Sequence, residues 1–163
     1  MIKRMRLRLG MTILGMIVCS TVASAQSSPI QLSLVTPVQI VPQDKAVAGF
    51  RFNLIYGRNT HVIGLDLGLV NHNTAGVSKG VQFGIVALVD ADFNGWQSHW
   101  VNLTEGRMEG FQLGLYNTAG SMSGVQLGIV NHAGKMHGLQ IGLVNIIKTG
   151  GQFPVFPIVN WSF

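Results

Sequence analysis

From Gly49 onward the chain repeats one phrase, Gly-x-Gln-x-Gly-x-Val-Asn, and that repetition limits the fold more than any other feature. The copies read GFRFNLIY from Gly49, GLDLGLVN from Gly64, GVQFGIVA from Gly80 and GWQSHWVN from Gly95. They continue as GFQLGLYN from Gly110, GVQLGIVN from Gly124 and GLQIGLVN from Gly138, and a distorted eighth, GQFPVFPIVN, starts at Gly151. The opening glycines lie 15, 16, 15, 15, 14 and 14 residues apart. A short, nearly constant period marks one structural unit stacked on itself, and not an enzyme built around one irregular pocket.

Within each copy the residues one, three and five places after the opening glycine are large and apolar. Val125, Leu127 and Ile129 follow Gly124, and Leu139, Ile141 and Leu143 follow Gly138. Of the 21 such positions in the seven regular copies, only Ser98 is polar. Gln126 and Gly128, or Gln140 and Gly142, stand between them, so the alternation has the period of a strand with one apolar side. The expectation is that these aliphatics turn towards a shared dry interior. Asparagine ends five of the seven copies (Asn71, Asn102, Asn117, Asn131 and Asn145), and turn-forming residues follow. A second apolar residue recurs two places before the glycine, as Val62, Phe93, Met108, Met122 and Met136. The methionines there read as core fillers and not as a metal or redox cluster.

Two architectures accommodate such a repeat. One is an eight-stranded antiparallel barrel in a bacterial outer membrane, favoured by an even number of copies and an ending of Trp161-x-Phe163. The other is a β-solenoid, in which each copy is one coil and neighbouring coils run parallel. Three apolar outward positions cover about 17 Å of strand, or roughly 12 Å of height when tilted, against the roughly 25 Å apolar band of membrane barrels. A phrase identical in every copy also suits identical surroundings, with Gln and Asn forming hydrogen-bonded ladders. Arg51 and Asp66 share one slot in adjacent copies and would pair across rungs. The all-β solenoid is therefore the preferred reading and the barrel its alternative. The repeat domain spans 49–150, with an extended lead-in or cap over 26–48 and a terminal repeat or cap over 151–163. Proline is confined to these flanks, at Pro29, Pro37, Pro42, Pro154 and Pro157, as a hydrogen-bonded ladder requires.

The first 25 residues have the pattern of an export signal. Lys3, Arg4, Arg6 and Arg8 precede an uncharged run from Leu9 to Val22, and Ala23-Ser24-Ala25 offers a cleavage site before Gln26. Of the eleven basic residues behind the formal +5, four lie in this leader and none of the six acids do. Without it seven basic residues face six acidic ones, and nothing argues for nucleic-acid binding. The only cysteine, Cys19, would leave with the leader, so no disulfide is expected.

The copies at Gly64, Gly110, Gly124 and Gly138, the opening Arg51-x-Asn53-Leu54-x-Tyr56-Gly57 and the ending Phe156-Pro157-Ile158-Val159-Asn160-Trp161-Ser162-Phe163 resemble the bacterial surface repeat-containing proteins, a family named from spirochaete lipoproteins. The resemblance covers residues 30 to 163. It implies an exported protein at the outer membrane, cell surface or periplasm, with no established activity and no catalytic residues to carry over. Some relatives are lipoproteins, but Val18 departs from the small residue expected before a lipidated Cys19.

Asp90-x-Asp92-x-Asn94-Gly95 copies the start of a calcium loop, although Val101 stands where the closing bidentate glutamate belongs. An acidic turn is the simpler reading. The histidines, His61, His72, His99, His132 and His137, form no HExxH or other metal-binding spacing. The Gly95 copy departs most from the phrase, and its Trp96, His99 and Trp100 are the candidate ligand-contacting patch. No cofactor and no catalytic set are expected. The expected role is a non-enzymatic envelope or surface scaffold, with a small outer-membrane β-barrel of structural or pore-type role as the alternative. Its partners would be envelope components or another surface protein, with membrane association compatible.

Overall fold

The computed structural model describes residues 27–163; the leader read over 1–25 lies outside the described residues. Every element is a strand: β1 (Ser27–Val35), β2 (Val38–Gln39), β3 (Ala46–Asn59), β4 (Val62–Asn73), β5 (Val77–Val89), β6 (Asp92–Ser98), β7 (Val101–Thr149) and β8 (Val155–Ser162). β7 is long because it winds through the last regular copies without a break.

Neighbouring copies run parallel and in register. Gly49 pairs with Gly64, Gly64 with Gly80, Gly80 with Gly95 and Gly95 with Gly110. The chain is a β-solenoid of about six turns. An antiparallel barrel is not formed, since that closure needs alternating strand directions. β1 supplies a first parallel rung, with Gln31 opposite Arg51. The two ends break the pattern. β2 lies antiparallel on β1, and β8 lies antiparallel on β7 with Asn160 opposite Gln140. Reversed strands of this kind blunt the open edges of a stacked sheet.

The expectation of a dry aliphatic interior is overturned. Gln82, Gln97, Gln112, Gln126 and Gln140 are fully buried, as are Asn71, Asn102, Asn117, Asn131 and Asn145. The aliphatics one, three and five places after each glycine point outward, with Leu115 52% and Leu143 68% exposed. Each coil is narrow. In the Gly110 copy its inward positions are Gln112, Asn117, Ala119 and Met122. One half of the interior is thus amide and the other half apolar, the latter holding Met108, Met122, Met136, Phe93, Ala119 and Ala133. The methionines are core fillers, as their slot suggests.

The buried amides are satisfied by one another. Parallel strands repeat at about 4.8 Å, so identical amides on successive rungs sit at hydrogen-bonding distance, as backbone groups do. The Gln140 amide donates to Gln126 at 2.7 Å, Gln126 to Gln112 at 2.7 Å, and Gln112 to Gln97 at 2.8 Å. Gln97 donates to Gln82 at 3.1 Å, and Gln82 to the Asp66 carboxylate at 2.7 Å. A carboxylate only accepts, so it fixes the orientation of Gln82 and, through it, of every amide behind. Asp66 also takes both prongs of the buried Arg51 guanidinium, at 2.7 and 2.6 Å. Arg51 spends its remaining donors on Asn59, Asn73 and the His72 carbonyl. This is the cross-rung pairing expected from the shared slot, and burial makes it expensive to break from one side.

Replacing Gln126 by leucine tests the inverted interior. It leaves the Gln112 carbonyl without its donor and the Gln140 amide without its acceptor, at a cost of about 2–4 kcal/mol. Urea unfolding of Gln126→Leu should show that loss. A change within about 0.5 kcal/mol, normal for a surface site, would place the glutamines outside.

Candidate binding face

Two columns of glycine shape the wall of the coil. The opening glycines adopt φ values that side chains avoid, such as 122° at Gly110 and 133° at Gly124. A Cβ on Gly110 would lie 2.2 Å from the Gly95 carbonyl oxygen, so the turn also needs the missing side chain. The second column, four residues on, is close-packed for another reason. A Cβ on Gly128 would meet the Gly114 carbonyl at 2.2 Å and the Asn117 amide at 2.5 Å. The asparagine ladder lies directly against this stretch of backbone.

Between these corners the outward side chains form ridges along the solenoid. Between the opening glycine and the inward asparagine, no outward position carries a charge in any copy. Furrows run between the ridges three and five places after the glycine, walled by Phe52, Leu54, Leu67 and Leu69 near one end and by Leu113, Leu115, Leu127 and Ile129 further along. Apolar patches of more than a few hundred Å2 are uncommon on soluble monomers and mark contact surfaces. Lys79, Asp90, Asp92, Arg107, Glu109, Lys135 and Lys148 all lie elsewhere on the coil. The solenoid is two-faced.

The Gly95 copy sits in the middle of this strip. Trp96 is held edge-on to Phe111 at 5.5 Å between ring centroids and tilted to Phe83 at 6.0 Å. Such pairs contribute about 0.5–1.5 kcal/mol each and fix the indole in place. Trp100 is 63% exposed and borders the furrow beside Leu113 and Leu127. The two tryptophans are therefore on the apolar surface, where a ligand-contacting patch was expected. His99 is not. It is buried and belongs to the asparagine ladder.

The reason is the missing asparagine of the preceding copy. Ala87 stands between Asn71 and Asn102 in register, where an amide would complete the ladder. His99 replaces the second glycine of its own copy and turns its ring into that gap. The Asn71 amide donates to His99 Nε2 at 3.1 Å, and His99 Nδ1–H donates to Asn102 Oδ1 at 2.9 Å. Asn102 then donates to Asn117, Asn117 to Asn131 and Asn131 to Asn145, each at 2.8 Å. The ring bridges the gap only when neutral, since Nε2 must accept. Burial pushes its pKa down to about 4, against smaller opposing effects of the Asn102 hydrogen bond and the Asp66 charge.

The remaining candidates diverge. Asp90 accepts from His72 Nε2 at 2.9 Å, Asp92 accepts from the Arg107 backbone N–H at 2.7 Å, and the Asn94 amide donates to Glu109 at 3.0 Å. The three side chains of the calcium-like motif thus serve separate partners. Among the described residues no group of three or more His, Cys, Asp or Glu side chains is placed to hold a metal ion. His72 and His132 share one column, with three copies between them. The Tyr56 hydroxyl lies 2.7 Å from His72 Nδ1, so Tyr56, His72 and Asp90 form a hydrogen-bonded string across successive rungs. It was not anticipated from the sequence, where only the stacking register brings these residues together. The string clamps the rung in which β3 bulges by an extra residue between Asn53 and Tyr56.

The fold and this face define a two-faced parallel β-solenoid whose interior is half amide and half apolar. Compared with protein-family models, with curated proteins and with solved structures, the chain finds no match.

Two measurements follow from the bridging histidine. Ala87→Asn alone puts an amide where the His99 ring sits, and His99→Gly alone leaves the gap open, so each should cost about 2 kcal/mol. The double variant restores the regular phrase in both copies and should recover most of that loss; additive losses would refute the bridge. The pH dependence has a definite sign. Below the ordinary histidine value of about 6.5 the unfolded chain takes up a proton that the folded chain refuses until about pH 4. His99 thus contributes full stability above pH 6.5, and loses it as pH falls towards 4, to a total of about 3 kcal/mol. Unfolding midpoints of the double variant between pH 7 and 4.5 should be flatter than those of the parent.

Proposed function

We propose that this chain is an exported, non-enzymatic protein of the bacterial envelope or surface, whose stacked sheet is a rigid scaffold presenting an apolar face for binding. One observation carries the reading: a chain that buries its amides and exposes its leucines in ordered ridges has its most demanding surface on the outside. Burying Gln and Asn while exposing Leu, Ile, Phe and Trp is costly in water unless that face meets something apolar. The scaffold is stiff because every rung is cross-linked to the next by backbone and amide ladders. Export is supported by the charged start, the apolar run and Ala23-Ser24-Ala25 ahead of Gln26. The resemblance of the repeats and of the Phe156–Phe163 ending to bacterial surface repeat-containing proteins supports the same placement. A pore-type role has less support, because the coil interior is filled by side chains.

Expression of the full chain in a Gram-negative host tests the placement. The expected product is a chain beginning at Gln26, identified by intact mass, and recovered with the envelope or periplasm. A chain retaining Met1 to Ala25 in the cytoplasm would refute export.

A further inference from the structure

Resting on the reading of the apolar strip as a binding face, we propose that its occupant is a second copy of this chain. Two solenoids would pack strip to strip about a two-fold axis lying in the interface. Area is the first argument. From β1 to β8 the sheet has nine rungs at about 4.8 Å, roughly 38 Å in all, and the apolar stretch of each rung is roughly 17 Å long. Each copy therefore offers roughly 650 Å2 in projection, and two together roughly 1,300 Å2, within the range of stable, specific interfaces.

Chemistry narrows the occupant. The strip carries no charge, and Lys79 and Glu109 share one bordering column, so their signs offset. Without the leader, seven basic residues face six acidic ones, which provides little attraction to anionic headgroups. A fitting partner is itself flat, uncharged and ridged at the spacing of a sheet, and the strip has those properties. Aligned sheets pack in this way at about 10 Å with their side chains interdigitated. The antiparallel β2 and β8 blunt the two ends, so association through the edges is disfavoured and the face remains.

The centre of the strip fits a self-complementary contact. Counting β1, the seven glycine-led copies and β8, the middle rung is the Gly95 copy, and the middle of its three outward positions is Ser98. In any in-plane two-fold arrangement with full overlap, this residue meets its own counterpart. Ser98 is the one small polar residue among the outward positions, flanked by Trp96 and Trp100. It leaves a recess at the symmetry centre with an aromatic anchor on each side, the arrangement in which interface energy concentrates.

The test uses the processed chain beginning at Gln26, which has no cysteine of its own. Light scattering after gel filtration should give twice the chain mass at micromolar concentration. Ser98→Cys should be cross-linked to its counterpart by a short bismaleimide, while Lys135→Cys on the charged side should not. The pair Leu113→Glu and Leu127→Glu should halve the mass with the strand circular dichroism unchanged, and Lys135→Glu should leave the dimer intact. A dimer that survives both glutamates, or a monomer at all concentrations, overturns the proposal. In the monomer case, flotation with phosphatidylethanolamine–phosphatidylglycerol vesicles separates the two readings. Co-flotation lost in the double glutamate variant would keep the binding face with lipid as its occupant, and no flotation would remove the binding face as well.

Discussion

The structure depends on the match between the spacing of parallel strands and the reach of a side-chain amide. Rungs about 4.8 Å apart bring identical amides into hydrogen bonding with one another, so a Gln or Asn repeated at the coil period behaves as an extra strand of backbone. The same match explains why the interior tolerates so much polarity. A buried amide costs little when donor and acceptor are both met, and a great deal when one is missing. The ladders run in opposite senses. Glutamine donors point towards the N-terminal end, where Asp66 receives the last of them, and asparagine donors point towards the C-terminal end. Each ladder accordingly starts from a residue whose own acceptor receives no donor, Gln140 Oε1 in one and Asn53 Oδ1 in the other. The opposed amide dipoles offset one another along the rod.

Strand periodicity, coil length, parallel stacking and the Arg51–Asp66 pairing were all legible in the repeat. The side of the sheet that faces inward was not, because period-two alternation gives the same pattern whichever face is buried. Hydrophobicity suggested the wrong face. A better signal was present in the variation between copies. The slot two places after the glycine is Gln in five of seven copies, whereas the slots around it range over Val, Leu, Ile, Phe, Trp and, once, Ser. A buried slot whose side chain must bond its counterpart on the next rung favours one repeated residue type, and glutamine fills it from Gln82 to Gln140. The outward face takes side chains of variable bulk. Methionine, unbranched and adaptable, was correctly placed inside because it recurs at one slot opposite the amides.

The Gly95 copy shows why local irregularity in a repeat needs its neighbours to be understood. Taken alone, Trp96, His99 and Trp100 form one aromatic group with a single purpose. In the stack they separate: the tryptophans belong to the outer surface, and His99 repairs a vacancy created by Ala87 in the copy before. No pattern within either copy indicates this, since the two departures compensate only across a rung. The acidic motif at Asp90 divides likewise, each carboxylate being taken by a partner about one coil away. In a solenoid the relevant neighbour in space is some 15 residues distant, so a motif read along the chain joins side chains that the fold assigns to different columns.

An interior of amides also has a consequence for the exterior. Hydrophobic burial is the main driving force for folding, yet here only part of the coil interior is apolar, the column of Met108, Met122 and Met136 with the alanines opposite. The larger store of apolar surface is on the outside, concentrated on one strip while the charges occupy the other. A single coil gains little from that arrangement, and no rearrangement within the chain can bury the strip, since the glycine corners and the ladders fix which way each residue points. Within the chain this surface contributes only through contacts between neighbouring ridges, such as Trp96 with Phe83 and Phe111. The repeat multiplies the effect, because each added rung extends the ladder by two amide bonds and the strip by three apolar side chains together. Ladder length and apolar area grow in proportion, so the length of the rod and the size of the surface it presents are set by one sequence feature, the number of copies.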